Sequence, residues 1–475
     1  MSNNSLDLSK EKKLGKNTLL FFIGSFGSKI LSYFLIPFFT LYLTTEEYGI
    51  SDTIFTTVSL AYPILSLAIY EAVFRFLLDK KDEKQAFTIG LIISFISCII
   101  ISIGALFFTS NPTFSDYYLY FVLYYVFIVF ANLLSNFAKG IGKNGLLAIS
   151  GMLSTIVLVA SCLIFIKYLT LGIFGYLLAY IISNVFVCVF LLIGCRAYRY
   201  ISRPSNISKQ LLLNMLKYAL PIIPNAISWW LSTSSDRYII NWMCGYSYTG
   251  VYSMGYKIPT LITMVTSVFL TAWQISSVDD FGSEKSKLFF EKVYSLFLAL
   301  TSILVAFIIL LTRELAFVLF KNDFFEAWIY VPILCFAYLF HDLSSFYGSI
   351  YIASKRTKMM FVSTFVGALV NFVLNIILIY YFGPYGAAIA TLVGYFMVWV
   401  LRTITCRKIL PFKVNHYKEA IIFGLLLLDL IVYTLQLPLF RIYSVVIFAL
   451  IVVLNYKQLL GLLRTTVGFF KKKNT

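Results

Sequence analysis

Charge is scarce in this chain. Only 12% of its 475 residues are Asp, Glu, Lys or Arg, whereas a soluble domain carries about a quarter. With 60% hydrophobic residues and a mean hydropathy of +0.87, a soluble globular protein is excluded. The apolar runs are long enough for spanning helices rather than barrel strands. Histidine is scarcer still: His341 and His416 are the only two, which removes most metal and His-based catalytic schemes. The seven cysteines are scattered through the apolar segments with no C-x-x-C pair, so neither a disulfide framework nor a zinc site is indicated. A G-x-x-x-x-G-K-[ST] run is absent, which excludes direct use of ATP through a Walker loop. The formal charge of +17 would suggest nucleic acid in a soluble protein. Here the basic residues fall between apolar runs, so the membrane accounts for them and no nucleic-acid partner is expected.

What is present is a series of apolar segments. A spanning helix needs about 20 apolar residues, and on that criterion the chain divides into about fourteen. Their bounds are 17–43, 48–78, 86–109, 115–138, 145–167, 172–195, 214–243, 248–276, 289–312, 325–353, 359–381, 385–405, 417–436 and 439–456. The first run follows a polar, lysine-containing start and has no small-residue cleavage site, so it reads as a retained helix, not a signal peptide. With the N-terminus placed in the cytoplasm, the inside stretches collect about 30 of the 38 Lys and Arg, Arg402 among them, and the outside stretches about 4. That asymmetry puts both termini in the cytoplasm and makes the helix count even. The outside loops, such as "TTEEYG", "CGYSYTG" and "YFGPYG", are short, leaving no room for an outer domain.

The longest hydrophilic stretch, "CRAYRYISRPSNISKQ" (195–210), separates two halves that open alike. In "SKILSYFLIPFFTLYLTTEEYGISD" and "SWWLSTSSDRYIINWMCGYSYTGVYS", Ser28/Ser228, Leu31/Leu231 and Ser32/Ser232 align, then Gly49/Gly250 after a one-residue shift. In each, a helix ends, a polar turn with Tyr and Gly follows, and a new helix begins. This reads as a parallel repeat, a transporter arrangement. The expected fold is an all-α integral membrane protein with two six-helix lobes around a central cavity and a C-terminal helix pair. The segments are an N-lobe at 1–195, a cytoplasmic linker at 196–213, a C-lobe at 214–408, and at 409–475 the last two helices with a basic tail.

Four cations belong to no loop: Lys29, Arg75, Arg237 and Lys257. Ionisable residues inside spanning helices are functional candidates by default, because their burial is costly. Arg75 has two readings, a cavity cation or a residue satisfied by Glu71 one turn earlier and by snorkelling. Arg237 follows Asp236, and adjacent residues do not share a helix face, so the two are expected to meet different partners. Lys29 lies roughly 18 Å into helix one, and Lys257 roughly 14 Å into helix eight. Neither has a carboxylate one turn away, which points to water, another helix or an anionic ligand. The acids Asp52, Glu71, Asp236 and Asp342, with His341, are candidates for ion coupling or gating. For the neighbours His341 and Asp342, proton coupling and a hydrogen-bonded structural pair both stand. Asp429 is a further buried acid. Prolines 37, 63, 221, 224 and 259 fall inside helices one, two, seven and eight and are expected to bend them. Asn371 and Asn375, with other intramembrane asparagines, would bond sugar hydroxyls or neighbouring helices.

Two stretches carry a resemblance. "NTLLFFIGSFGSKILSYFLIPFFTLYLTTEEYGISD" (17–52) resembles the start of O-antigen (Wzx-type) polysaccharide-biosynthesis flippases, and "DRYIINWMCGYSYTGVYSMGYKI" (236–258) resembles their second-half signature. These proteins belong to the multidrug/oligosaccharidyl-lipid/polysaccharide (MOP) exporter superfamily. The resemblance implies alternating access that carries an undecaprenyl-diphosphate-linked oligosaccharide across the bacterial cytoplasmic membrane. It also implies cavity cations on the diphosphate or acidic sugar, matched in kind and place by Lys29, Arg237 and Lys257 and more loosely by Arg75. Helices thirteen and fourteen would form a groove for the lipid tail. Membrane lipids, and the polymerase and chain-length proteins of an export pathway, would be partners. No cofactor and no catalytic residue are implied. Rival readings are a multidrug extruder of the same superfamily, which would want cavity acids, and a membrane polymerase, which would need large outer loops.

Overall fold

The computed structural model describes residues 31–461 except 108, 110, 111, 204, 206, 280 and 282–285. Every regular element among them is helical. In chain order they are α1 (Leu31–Tyr42), α2 (Thr45–Leu65), α3 (Ile69–Leu78), α4 (Glu83–Leu106), α5 (Pro112–Gly140), α6 (Asn144–Cys162), α7 (Gly172–Gly194), α8 (Lys209–Ala219) and α9 (Ile223–Cys244). There follow α10 (Tyr246–Gly255), α11 (Thr260–Asp279), α12 (Ser286–Leu310), α13 (Thr312–Leu319), α14 (Val331–Ala353), α15 (Thr357–Phe382), α16 (Pro384–Ile409), α17 (His416–Thr434) and α18 (Phe440–Leu454). Among the described residues, eight helices are long and apolar enough to cross a membrane, or ten with two bent pairs counted as one span each. The chain is thus an all-helical, multi-pass membrane protein.

The prolines and turn residues mark where the expected spans divide. Helix two of the sequence reading is α2 plus α3, bent by 56°. Pro63 lies in the last turn of α2, and Leu67 and Ala68 take left-handed φ values of 53° and 48° at the break. Helix seven is α8 and α9 joined by a 3-10 turn, Leu220–Ile222, at Pro221. Helix eight is interrupted at 256–259, ahead of α11, where Pro259 has no N–H to donate. Helix ten is a 3-10 segment, Asn322–Ile329, bent by 54° into α14.

Contacts divide the chain into a unit ending at Trp230 and one beginning at Leu231. The first unit is built on Val73 and Leu77 of α3, Phe87 of α4, Leu133 and Phe137 of α5 and Met215 of α8. The stretch expected as a linker at 196–213 is packed into it. Ala197 is buried, the Tyr200 ring meets Phe137, and the Ser202 N–H donates to Thr88 Oγ1 at 2.8 Å. Trp230 Nε1 donates to the Thr56 carbonyl at 3.0 Å. These bonds carry the first unit past the linker, so the division falls inside α9. The "TTEEYG" turn caps two helices. Thr44 Oγ1 accepts from the Glu47 N–H at 3.2 Å, and Glu47 Oε2 accepts from the Thr44 N–H at 2.8 Å, a capping box. Glu47 Oε1 accepts from the Ile173 N–H in the first turn of α7 at 3.3 Å.

In the second unit α14 is buried along nearly its whole length and packs against α11, α12, α16 and α17. α15 and α16 approach closely through small residues, as membrane helices do. A Cβ at Gly386 would lie 2.1 Å from the Leu378 carbonyl oxygen. The helix pair α17–α18 is docked on this unit by polar contacts at both ends. At one end, buried Glu419 accepts the Tyr294 hydroxyl of α12 and meets His416 Nδ1 at 2.9 Å. At the other, the Arg313 N–H donates to the Tyr433 hydroxyl at 3.0 Å, and Arg441 pairs with Glu314 at 3.1 Å.

Candidate functional site

Five charged or titratable sequence candidates, Asp236, Arg237, Lys257, His341 and Asp342, fall in the second unit. Asp236 of α9 is 3% exposed. Its Oδ2 accepts from the Tyr256 hydroxyl at 2.8 Å and the Tyr252 hydroxyl at 3.1 Å, and its Oδ1 from the Arg237 N–H at 2.9 Å. The tyrosines stand one turn apart on α10 and its continuation, so both phenols reach one carboxylate. The Arg237 guanidinium lies over the Tyr256 ring at 5.3 Å. This corrects one expectation: although adjacent on α9, Asp236 and Arg237 both end on Tyr256, one at its hydroxyl and the other at its ring.

The network runs on. The Tyr256 hydroxyl pairs with Thr391 Oγ1 of α16 at 3.2 Å, and Asn371 Nδ2 of α15 donates to that same oxygen at 3.4 Å. Asn375 Nδ2 donates to Asn371 Oδ1 at 3.0 Å. Asn375 Oδ1 is buried with no hydrogen-bond partner, a costly state for an amide oxygen. A carboxylate, a threonine hydroxyl and two amides therefore form one connected oxygen-rich cluster, with a spare acceptor at its end.

Beside it, the Tyr338 ring touches Tyr256, Tyr395 and His341. His341 Nδ1 lies 2.9 Å from Asp342 Oδ1, and Asp342 Oδ2 accepts from Thr266 Oγ1 of α11 at 2.6 Å. The His341–Asp342 pair is therefore hydrogen-bonded, with the imidazole 20% and the carboxylate 1% exposed. Lys257, next to Tyr256, is half-buried in the break between α10 and α11. It thus lies in a turn and not inside a continuous helix. An apolar cavity of about 390 Å³ lies between α11, α12 and α18, lined by Val265, Phe269, Phe297, Phe307 and Phe448, with Thr266 its one polar residue.

The remaining candidates are elsewhere. Arg75 pairs with Asp79 at 2.7 Å at the exposed end of α3, so its ion-pair partner lies one turn after it rather than at Glu71. Glu71 and Asp52 are half-buried in α3 and α2. Lys29 lies outside the described residues. Arg402, counted with the cytoplasmic-side cations although it falls within the expected span 385–405, is buried in α16 at 6% exposure. It donates to Ser363 Oγ at 3.1 Å, the Ser344 carbonyl at 2.7 Å and Thr364 Oγ1 at 2.9 Å. Gly348 makes its space, since a Cβ there would lie 3.0 Å from Nη1. The sequence reading also missed Tyr252, Tyr256 and Thr391, which carry no charge to mark them.

A model of the polysaccharide biosynthesis protein family matches residues 14–274, more than half of the chain. The chain belongs to that family. A MatE family model matches residues 221–377. An uncharacterized membrane protein of Methanocaldococcus jannaschii is 24% identical over 419 residues, 83% of this chain and 98% of its own. Among solved structures, the lipid II flippase MurJ in an inward closed conformation aligns at a TM-score of 0.69 and 16% identity, covering 93% of this chain and all of its own. A multidrug resistance MATE transporter of the MOP superfamily, inward-facing, aligns at 0.62 and 16% identity, over 80% of this chain and 94% of its own. A MOP superfamily transporter from Pyrococcus furiosus, described as having a binding pocket of reverse polarity, aligns at 0.58 and 18%, over 82% and 94%. This family member therefore has the transporter and flippase fold of the MOP superfamily.

Proposed function

We propose that the protein is a flippase moving an undecaprenyl-diphosphate-linked oligosaccharide from the inner to the outer leaflet of the bacterial cytoplasmic membrane by alternating access, with both termini cytoplasmic. The observation that carries this reading is a juxtaposition in one corner of the second unit. The Arg237 guanidinium lies over the Tyr256 ring, Lys257 follows Tyr256 in the chain, and the Tyr256 hydroxyl holds Asp236. Cationic side chains suited to a diphosphate or an acidic sugar thus adjoin an oxygen cluster suited to a small cation. Lys29 and Arg75 are proposed as the anion-binding cations of the first unit. Asp236, Thr391, Asn371 and the spare Asn375 oxygen are proposed to take the coupling cation, a sodium ion or a proton. His341 and Asp342, through Thr266, act as a gate on α11, and Asp52 and Glu71 are the gating acids of the first unit. The apolar cavity walled by α18 suits an isoprenoid tail.

The family match to polysaccharide biosynthesis and the similarity to MurJ support this cargo class. A multidrug extruder, which the MatE match would allow, would want cavity acids unopposed by cations, whereas the Arg237 guanidinium lies over the ring whose hydroxyl holds Asp236. Purified protein in liposomes decides between the readings. Lipid-linked oligosaccharide should reach the outer leaflet, with transfer responding to an imposed sodium or proton gradient. Extrusion of cationic dyes without lipid-linked sugar transfer would sink the flippase reading and support the extruder.

A further inference from the structure

The helix pair α17–α18 holds an acid that the reading above leaves unused. Asp429, in the last third of α17, is fully buried. Its Oδ1 accepts from Ser444 Oγ of α18 at 2.6 Å, while its Oδ2 is buried with no hydrogen-bond partner. Ring contacts Phe340–Phe423 and Trp328–Tyr433 bracket this level of α17.

Among the described residues, no cation is supplied from the elements packed against it. α12 has no charged residue between Lys292 and Arg313, and its Tyr294 is bonded to Glu419. On α14 the titratable residues are Cys335, Tyr338, Tyr347, Tyr351, and the mutually bonded His341 and Asp342. α18 carries Arg441, which is exposed and paired with Glu314, and Tyr443, which is half exposed. On α17 itself, Tyr433 is taken by Arg313, and Glu419, Lys418 and His416 lie at the opposite end.

An ionised carboxylate held by one hydroxyl in such surroundings keeps almost none of its hydration energy. The neutral acid keeps the Ser444 bond and loses far less. We propose that Asp429 is a proton-binding site, neutral while α17 and α18 are closed and ionised only when water enters between them. Proton release and parting of the pair are then one event. Because Phe448 of α18 also walls the apolar cavity, that event loosens the cavity wall. The proposal is independent of the cargo.

The test uses full-length protein in liposomes without substrate. Dicyclohexylcarbodiimide is an apolar reagent that reacts with protonated carboxyl groups. The acid O–H adds across one C=N bond with no group lost, and acyl migration gives a stable N-acylurea that mass spectrometry locates. Asp429 should be modified at about pH 5.5 and at least about threefold less at about pH 9. Amide exchange of α17 and α18 is the second measurement. Wild type and Asp429→Asn should match at the lower pH, and wild type should exchange at least about tenfold faster at the higher. Absence of the adduct, labelling unchanged over this range, or equal exchange in both proteins at both pH values would overturn the proposal. If the variant does not fold, the wild-type labelling decides alone.

Discussion

The Tyr256 hydroxyl donates to Asp236 Oδ2 at 2.8 Å, tying α9 to the point where α10 breaks off before Lys257. A carboxylate on one helix is thereby held by the hinge-like turn of the next. That bond makes Asp236 the residue whose charge reports on the geometry of the whole corner.

Asp236→Asn tests the coupling assignment. The amide retains shape but removes the charge on which a bound cation depends. Oligosaccharide transfer in liposomes should persist at a reduced rate and lose its response to both sodium and proton gradients. Transfer that still follows a gradient would move the coupling site elsewhere, with His341 and Asp342 the next to examine.

Substitution of the cations tests the cargo side. Lys257→Ala and Arg237→Ala should each lower export at least about tenfold, since a lost charge-assisted contact is worth about 1.5–3 kcal/mol, while folded protein stays in the membrane. Lys29→Ala is expected to do the same. Arg237→Lys should recover only part of the loss, because an ammonium lacks the planar fork that stacks on Tyr256. Normal export from all the alanine variants would remove the anion-binding argument.

Much of the fold was legible because membrane helices announce themselves. Long apolar runs and prolines at 63, 221 and 259 located most of the segments and their breaks. Asp236, Arg237, His341 and Asp342 were legible because charge in such runs is conspicuous. Tyr252, Tyr256 and Thr391 were not, since uncharged hydroxyls abound in this chain and only three-dimensional neighbours single them out. Arg402 was misassigned for a related reason. It lies close to Arg407 and Lys408 in sequence, and charge counting grouped it with them although it falls within the span 385–405.

The turn at Gly172 offers a stability prediction. Its φ is +53°, and a Cβ there would lie 2.7 Å from Glu47 Oε1, the atom that caps α7. Gly172→Ala should therefore destabilise the protein by about 1–2 kcal/mol through backbone strain and a displaced cap. Thermal unfolding in detergent should show a lower midpoint. In the Glu47→Ala background, where the clash is gone and only the strain remains, Gly172→Ala should cost measurably less.

Arg402 separates the worth of a buried charge from the worth of its hydrogen bonds. Its fork reaches neutral oxygens on two helices, Ser344 on α14 and Ser363 and Thr364 on α15. Among the described residues no carboxylate is bonded to it. Replacing a buried ion by an apolar side chain of similar volume is often tolerated, whereas a charge stripped of partners is not. Lysine retains the charge but has a compact head that cannot span three acceptors in this geometry. Arg402→Lys should therefore lower the thermal midpoint more than Arg402→Met, despite being the conservative change in charge. If lysine is the better tolerated, the charge itself is stabilised at this position, and water or an anion must reach the α14–α16 interior.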